Sequence, residues 1–194
     1  WLLLWIVAIV QGVITITDFQ FNEVIEHSFT DTDARTRAIG HVYAFINFGS
    51  LLLQVGTGPL LRLVGLPLTL LGVPALLGAS IAAFAAAPGF GTMAVAKVVG
   101  KCADYSVFRA AKEILYIPLT YAEKTQGKAL VDMLTYRVAK GGVSLLLLGL
   151  AGLGVHVGIS YVNVGLCSLW LALTVAVLRR YHARGGGDVA TGRL

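Results

Sequence analysis

Charged residues are scarce in this sequence of 194 residues. Only 13% of the residues are charged, whereas 57% are hydrophobic, and the mean hydropathy is +0.79. A soluble domain carries about 25% charged residues. With so few charges, a soluble fold could not cover its core with polar surface. We therefore expect lipid to be the solvent for most of the chain.

Catalytic and metal-binding signatures are also missing. Cys102 and Cys167 lie in separate apolar stretches, so they form neither a disulfide framework nor a metal-ligand spacing. The histidines are scattered, and no P-loop pattern G-x-x-x-x-G-K-[ST] occurs. The sequence therefore predicts no enzyme, no metal site and no cofactor. The net charge of +5 does not indicate nucleic-acid binding, because the charges form no soluble basic face.

Long apolar runs dominate the sequence instead. A transmembrane helix needs about 20 mostly apolar residues. Six segments qualify: 1–22, 40–61, 66–87, 91–115, 128–153 and 157–179. Pro88-Gly89 predicts a turn before the fourth segment, and Pro118 predicts its end. We expect an all-α membrane protein whose six transmembrane helices fill residues 1–180, followed by a disordered, basic, glycine-rich tail over 181–194.

The distribution of lysine and arginine predicts the orientation in the membrane. Six crossings return the chain to its starting side, here called side A, and the opposite side is called side B. Only Arg35 and Arg37 fall on side B, four cations lie within spans, and the other nine of the 15 fall on side A. The positive-inside rule therefore places side A and both chain ends in the cytoplasm. The charged segment 18–39 is expected to be mostly an external loop.

Six helices are the size of one half of a major-facilitator-type transporter. Such transporters bind substrate between two six-helix halves, near the middle of the membrane. The chain begins at Trp1 inside an apolar run. We therefore expect an N-terminal half of the same transporter to precede it and to be its partner within the lipid bilayer. A complete six-helix membrane protein of another kind is the alternative.

Charged residues recur within the fourth and fifth spans. Helical steps of three and four residues place two sets on common stripes. These sets are Lys97, Lys101, Asp104, Phe108 and Lys112, and Lys128, Asp132, Tyr136 and Lys140. A charge at mid-membrane costs at least about 2.5–3.5 kcal/mol, so such residues face a cavity or pair internally. The cations of these spans, with Arg137 among them, outnumber the acids, which suits an anionic substrate.

Several of these charges also have a structural interpretation. The spacing of Lys101 with Asp104, and of Lys128 with Asp132, supports local ion pairs. Asp18 borders the first apolar run. It could pair with a substrate-site cation, couple transport to protons, or face water at a helix end. The candidate substrate-binding residues are Asp18, Lys97, Lys101, Asp104, Arg137 and Lys140. The candidate gate or structural ion-pair residues are Lys112, Glu113, Lys128 and Asp132.

Residues 104–144, DYSVFRAAKEILYIPLTYAEKTQGKALVDMLTYRVAKGGVS, carry a more specific signal. They resemble the ATP/ADP translocase family, the nucleotide antiporters of plastids and intracellular bacteria. That family has KE-x-x-YIPL, then K-x-x-GKA-x-VD, then R-x-x-K, and all three elements occur here in order. The resemblance implies the C-terminal half of a major-facilitator-like transporter that exchanges nucleotides by alternating access, most typically in a bacterial inner membrane.

The resemblance also implies roles for individual residues. Lys140 takes the place of a transport-critical lysine, and Asp18 that of an acid in the first helix of this half. The family's acid is typically Glu, followed three residues later by Trp-Lys. Here Phe21-Asn22 stands at that position, so one substrate-site cation is missing. The family's Lys-Ser-Gly is replaced by Lys140-Gly141-Gly142. These changes preserve the expected fold and leave the choice of substrate open.

Three functions follow from the sequence. The first is exchange of ATP and ADP, or of related nucleotides. The second is transport of another organic anion, coupled to protons through Asp18. The third is a membrane module that senses a ligand or supports an attached domain without transporting anything. Binding without flux would identify the third, and dependence of uptake on a pH gradient would identify the second.

Overall fold

The computed structural model describes residues 2–110, 113, 136–152 and 158–183. All regular elements in these ranges are helical. They are α1 (Leu2–Ser28), α2 (Thr32–Val64), α3 (Leu66–Ala86), α4 (Phe90–Ala103), a π-helix (Asp104–Phe108), α5 (Tyr136–Gly152) and α6 (Ile159–Ala183). The predicted all-α membrane fold is confirmed.

The number of membrane crossings is only partly accounted for by the described residues. Within these ranges, α1, α2, α3 and α6 are long and apolar enough to cross a membrane. Helix α4 has 14 residues before the π-helix, and the described part of α5 has 17. Six crossings therefore stay a prediction. The predicted tail over 181–194 lies almost entirely outside the described residues.

The first connection differs from the prediction. Helix α1 continues to Ser28 and α2 begins at Thr32, so the external loop expected over 18–39 is wrong. Asp31 caps α2, because its Oδ2 accepts a hydrogen bond from the Ala34 amide at 2.9 Å. Most charged side chains of this region lie on exposed or half-exposed helix ends. The prediction rested on apolar runs, and an apolar run stops where the charged turns at a helix end begin. The charged ends of α1 and α2 were therefore assigned to a loop.

The next two connections agree with the sequence. A single residue, Gly65, joins α2 to α3 and has a φ of 83°, a left-handed conformation that glycine adopts without strain. Its amide donates to the Leu61 carbonyl oxygen at 3.1 Å and closes α2. Pro67 lies in the first turn of α3, where its missing N–H removes no hydrogen bond. The predicted turn at Pro88-Gly89 separates α3 from α4.

Helix α1 lies at the centre of the described bundle. It packs against α4, α5 and α6, and its Val10 and Val13 are completely buried. Helix α3 packs against α4 and α6. At the π-helix, Phe108 meets Trp170 of α6 edge to face, with 5.6 Å between ring centroids. The central position of α1 buries four of its polar side chains against neighbouring helices, namely Gln11, Thr15, Thr17 and Gln20.

Helix α2 packs closely against α4 and the π-helix at one side of the bundle. A Cβ atom added at Gly49 would lie 2.9 Å from Cys102 Sγ, so a larger residue does not fit there without a shift. The Cys102 thiol donates to the Ile46 carbonyl oxygen at 3.5 Å. Small residues let helix backbones approach closely in lipid, where no hydrophobic effect drives helices together. We call this contact the Gly49–Cys102 contact.

Candidate functional site

Three charged side chains from two helices meet inside the bundle. Asp18 Oδ2 lies 2.6 Å from Lys101 Nζ, and Asp18 Oδ1 lies 3.4 Å from Lys97 Nζ. The two lysines are four residues apart and so lie on one face of α4, opposite Asp18 on α1. We call these three residues the Asp18 cluster. It contains two ammonium groups and one carboxylate, so it has one excess positive charge.

Lys97 is enclosed by aromatic rings. Its side chain is only 3% exposed, and Nζ lies 4.0 Å from the centroid of the Phe21 ring and 5.3 Å from that of Tyr43. The negative face of an aromatic ring attracts a cation, more strongly where water is excluded. Phe21 is three residues beyond Asp18 on α1, so one face of α1 supplies both the carboxylate and the ring. Lys97 is therefore held in place from several directions.

Lys101 is held less tightly. Its side chain is 13% exposed, and Nζ lies 5.9 Å from the centroid of the Tyr105 ring, farther than Lys97 Nζ lies from either of its two rings. Asp104, in the next turn, adds a weaker attraction. The Asp18 side chain is 26% exposed. Lys101 and Asp18 thus form the accessible edge of the cluster, while Lys97 forms its buried end.

One cavity of the described residues lies directly beside the cluster and is very small. It is lined by Thr17, Asp18, Lys97 and Lys101, among others, and has a volume of about 10 Å³. That is room for at most about one water molecule. An anion can therefore enter this cavity only if a side chain of the cluster moves.

The sequence predicted one charged stripe along α4, and the π-helix corrects it. A π-helix bonds each amide to the carbonyl five residues earlier, so a step of four no longer returns to the same face. Lys97 and Lys101 face Asp18, but Phe108 packs against Trp170 on α6. Gln54 of α2 donates from Nε2 to the Tyr105 carbonyl oxygen at 3.5 Å. The common stripe therefore ends before Phe108.

The remaining predicted residues do not all lie within the described ranges. Arg137 and Lys140 are exposed on α5, and Glu113 is also exposed. Asp104 is half-buried in the π-helix. Lys112, Lys128 and Asp132 lie outside the described residues, as does the predicted Lys128–Asp132 pair. The structure thus brings together Asp18, Lys97 and Lys101 from the predicted set.

Two polar contacts that the sequence did not predict join α1 to α6. Asn163 is fully buried and donates from Nδ2 to Thr17 Oγ1 at 3.0 Å. About one turn away, Gln20 donates from Nε2 to Ser160 Oγ at 2.7 Å. These partners are more than 100 positions apart, so helical spacing could not reveal them. The one available signal is that polar residues recur at steps of three on both helices. Together the contacts fix the face of α1 that carries Asp18.

A second cavity, of about 290 Å³, lies between α1, α3 and α6 near side B. Gln20, Glu23, Phe84, Ser160 and Tyr161 are among its lining residues. It shares no lining residue with the small cavity at the Asp18 cluster. We place the candidate site at the cluster, because the described residues that line the second cavity include no lysine or arginine that could bind an anion.

Comparison with known proteins identifies the family of the chain. Residues 69–181, more than half of the chain, match the family model described as TLC ATP/ADP transporter. The chain belongs to the TLC ATP/ADP transporter family. The matched region includes Lys97 and Lys101, whereas Asp18 precedes it. The expectation of an ATP/ADP translocase relative is confirmed, and the protein is an integral, multi-pass member of a transporter family and not an enzyme.

Three curated relatives show how much of a full-length carrier the matched part of this chain covers. ADP,ATP carrier protein 1 of Chlamydia muridarum is 42% identical over 57 residues, which cover 29% of this chain and 11% of that carrier. ADP,ATP carrier protein 2 of Chlamydia pneumoniae is 30% identical over 99 residues, covering 48% and 18%. ADP,ATP carrier protein 1 of Chlamydia trachomatis is 40% identical over 57 residues, covering 29% and 11%. The matches to these TLC relatives thus span less than a fifth of each relative. No solved structure significantly matches the chain.

Proposed function

We propose that this TLC family member is a secondary transporter that exchanges ATP and ADP, or related nucleotides, by alternating access. Family membership supports the substrate class. The observation that carries the proposal is the Asp18 cluster, in which the buried ammonium of Lys97 and the partly exposed ammonium of Lys101 share the Asp18 carboxylate inside a membrane protein. Unbalanced charge is expensive in the membrane and marks a substrate or ion pathway. Phosphate groups supply the negative charge that balances it.

The proposed exchange needs no hydrolysis. A nucleotide that binds differently to inward-open and outward-open states shifts the equilibrium between them, and its own gradient then drives flux. Lysine suits this role, because its ammonium is a mobile point charge with three donors on a flexible stem. The proposed phosphate-binding groups are Lys101, with Arg137 and Lys140 on α5.

We also propose that a second six-helix half, preceding this one in the transporter, completes the substrate site. Arg137 and Lys140 are exposed on the described chain, as an inner cavity wall would be. The positive-inside pattern supports a cytoplasmic side A with both ends of this half, in a bacterial inner membrane. Lys112, Lys128 and Asp132, with Glu113, would then lie near the cytoplasmic gate.

The experiment that tests exchange uses the full-length protein in liposomes. Vesicles are loaded with ADP or left empty, and entry of labelled ATP is followed. We expect entry that requires internal ADP and falls at least tenfold in Lys101→Gln and in Lys140→Ala. Arg37→Gln is the control, because it removes an exposed side-B cation outside the cluster. No entry of ATP into loaded vesicles, in a folded sample, would reject nucleotide exchange.

A proton-coupled transporter of another organic anion is the second candidate. The replacement of the family's Trp-Lys by Phe21-Asn22 favours it, because Asn22 stands where the family has a lysine and one substrate-site cation is therefore missing. In the same liposomes, uptake that follows an imposed pH gradient and ignores internal ADP would support this candidate. Nucleotide binding without any flux would instead support a non-transporting module.

A further inference from the structure

The Asp18 cluster is asymmetric, and the asymmetry suggests how it operates. Asp18 Oδ2 contacts the more accessible Lys101 at 2.6 Å, whereas Oδ1 contacts the enclosed Lys97 at 3.4 Å. Within the described residues, Oδ1 is buried and accepts no hydrogen bond, so the ion pair is its stabilising contact. Asp18 thus makes its shorter contact with Lys101, the lysine that a ligand can reach more easily.

An anionic substrate and Asp18 would use the same ammonium group. A carboxylate and a phosphate oxygen both accept charge-assisted hydrogen bonds from lysine, with similar geometry. The cavity of about 10 Å³ that Asp18, Lys97 and Lys101 line is too small for a phosphate group, so a phosphate that binds between these side chains must displace Asp18 from Lys101. Lys97 cannot swing out as readily, since Phe21 and Tyr43 enclose it.

We propose that Asp18 is an internal competitor for the substrate. Its carboxylate pairs with Lys101 until a phosphate group of the substrate takes the place of the carboxylate. Lys97 stays paired with Asp18 throughout as the permanent counter-ion. The displaced carboxylate keeps a buried partner and so avoids the cost of an isolated charge. When the substrate leaves, the carboxylate returns to Lys101 and assists release. This inference rests on the proposed function in one respect, that the substrate carries phosphate.

The competitor role predicts an unusual direction of change. Asp18→Asn removes the competing charge, so ADP should bind at least threefold tighter to the full-length protein. Release should be slower, so both KM and kcat of exchange should fall. A residue that only supported the site structurally would weaken binding when replaced. Asp31→Asn is the matched control, because it removes an exposed carboxylate at the start of α2 and asparagine still caps a helix.

The measurement is equilibrium binding of labelled ADP to purified full-length protein, with inorganic phosphate as a competing probe. Tighter binding of both in Asp18→Asn, with Asp31→Asn unchanged within twofold, supports the proposal. Weaker or unchanged binding in Asp18→Asn overturns it, even where the wild type exchanges ATP for ADP normally. Conversely, if the wild type binds phosphate but not ADP, the nucleotide proposal is rejected. The competitor proposal is then tested by whether Asp18→Asn binds phosphate more tightly than the wild type. A wild type that binds neither overturns both.

A second pair of variants covers the case in which Asp18→Asn does not fold. Lys97→Gln leaves Asp18 with Lys101 alone and makes it a stronger competitor. Adding Asp18→Asn to Lys97→Gln removes the competitor without leaving two unpaired ammonium groups. The double variant should therefore bind ADP at least threefold tighter than Lys97→Gln. Equal or weaker binding in the double variant overturns the proposal.

Discussion

Lys97 and Lys101 show how two identical residues on one helix face acquire different properties. Both pair with Asp18, but Lys97 is buried between the rings of Phe21 and Tyr43, whereas Lys101 is more exposed and lies farther from the ring of Tyr105. Removing one partner of a buried ion pair is costly mainly when the remaining charge is left uncompensated. The consequences of each substitution therefore depend on which charges remain.

At this residue scale we predict that Asp18→Asn destabilises the fold more than Lys97→Met. The first leaves the buried ammonium of Lys97 without its carboxylate partner, and breaking a buried ion pair costs about 3–5 kcal/mol. The second leaves Asp18 paired with Lys101 and keeps an apolar side chain of similar length against Phe21. Thermal unfolding midpoints in detergent check the order. Equal midpoints would show that the Asp18 pairs contribute little to stability.

The sequence predicted much of this cluster and missed its surroundings. Lys97 and Lys101 were found because their spacing of four on an apolar helix is a local pattern. Pairing of Asp18 with a site cation was one of three possibilities, and the structure shows that contact, while substrate binding stays a prediction. The role of Phe21 as a ring over Lys97 was not predicted, because it depends on how α1 and α4 pack. Such contacts between distant segments carry no periodic signal.

At the scale of elements, helix packing depends on a few close contacts. At Gly49, α2 approaches α4 closely, and the α1–α6 interface carries paired polar side chains. Apolarity predicted α3 almost to the residue, because both of its ends are marked by glycine or proline. Apolarity placed the end of α1 too early and the start of α2 too late, because charged turns extend both helices beyond their apolar runs.

The Gly49–Cys102 contact predicts a size limit. Gly49→Ala should lower the unfolding midpoint, because its Cβ would lie 2.9 Å from Cys102 Sγ. Adding Cys102→Ala should restore most of the loss by removing the sulfur. Gly56→Ala is the control, since no atom lies within 4 Å of its added Cβ, and alanine favours a helix by up to about 1 kcal/mol. Failure of Cys102→Ala to rescue would refute the steric explanation.

The Asn163–Thr17 contact predicts a loss of stability when its polar group is removed. Asn163→Leu should destabilise the protein by about 1–3 kcal/mol, because it leaves the buried Thr17 hydroxyl with one partner fewer and alters a fully buried site. Ser168→Ala is the control on the same helix, since Ser168 is exposed and bonds its own helix at Val164. Similar midpoints for the two variants would contradict a role for this contact.

At the scale of the whole molecule, α1 and α2 differ sharply in their surroundings. In its most apolar stretch α1 is 67% buried, whereas α2 is 17% buried and presents large apolar side chains such as Phe45, Phe48 and Val55. Lipid, or the proposed second half, would cover this surface. The orientation of the bundle can be tested independently of its function.

We predict that Asp33 faces the outside of the cell and Arg62, in the last turn of α2, faces the cytoplasm. Single cysteines at these positions are introduced after Cys102 and Cys167 are replaced by alanine. In intact cells, an impermeant thiol reagent should label Asp33→Cys and spare Arg62→Cys until the membrane is opened. The reverse pattern would invert the proposed topology, and labelling of both would contradict the membrane position of α2.

The Gly49–Cys102 contact has a mechanical consequence. It fixes how closely α2 lies against α4, so Tyr43 of α2 and the two lysines of α4 are on packed neighbours, whereas Asp18 is on α1. In the proposed alternating-access cycle, a displacement of α1 relative to α2 and α4 would stretch the two ion pairs while Tyr43 stayed beside Lys97. The Asp18 pairs would then act as a latch between two moving parts, and an anion that frees Lys101 would open it.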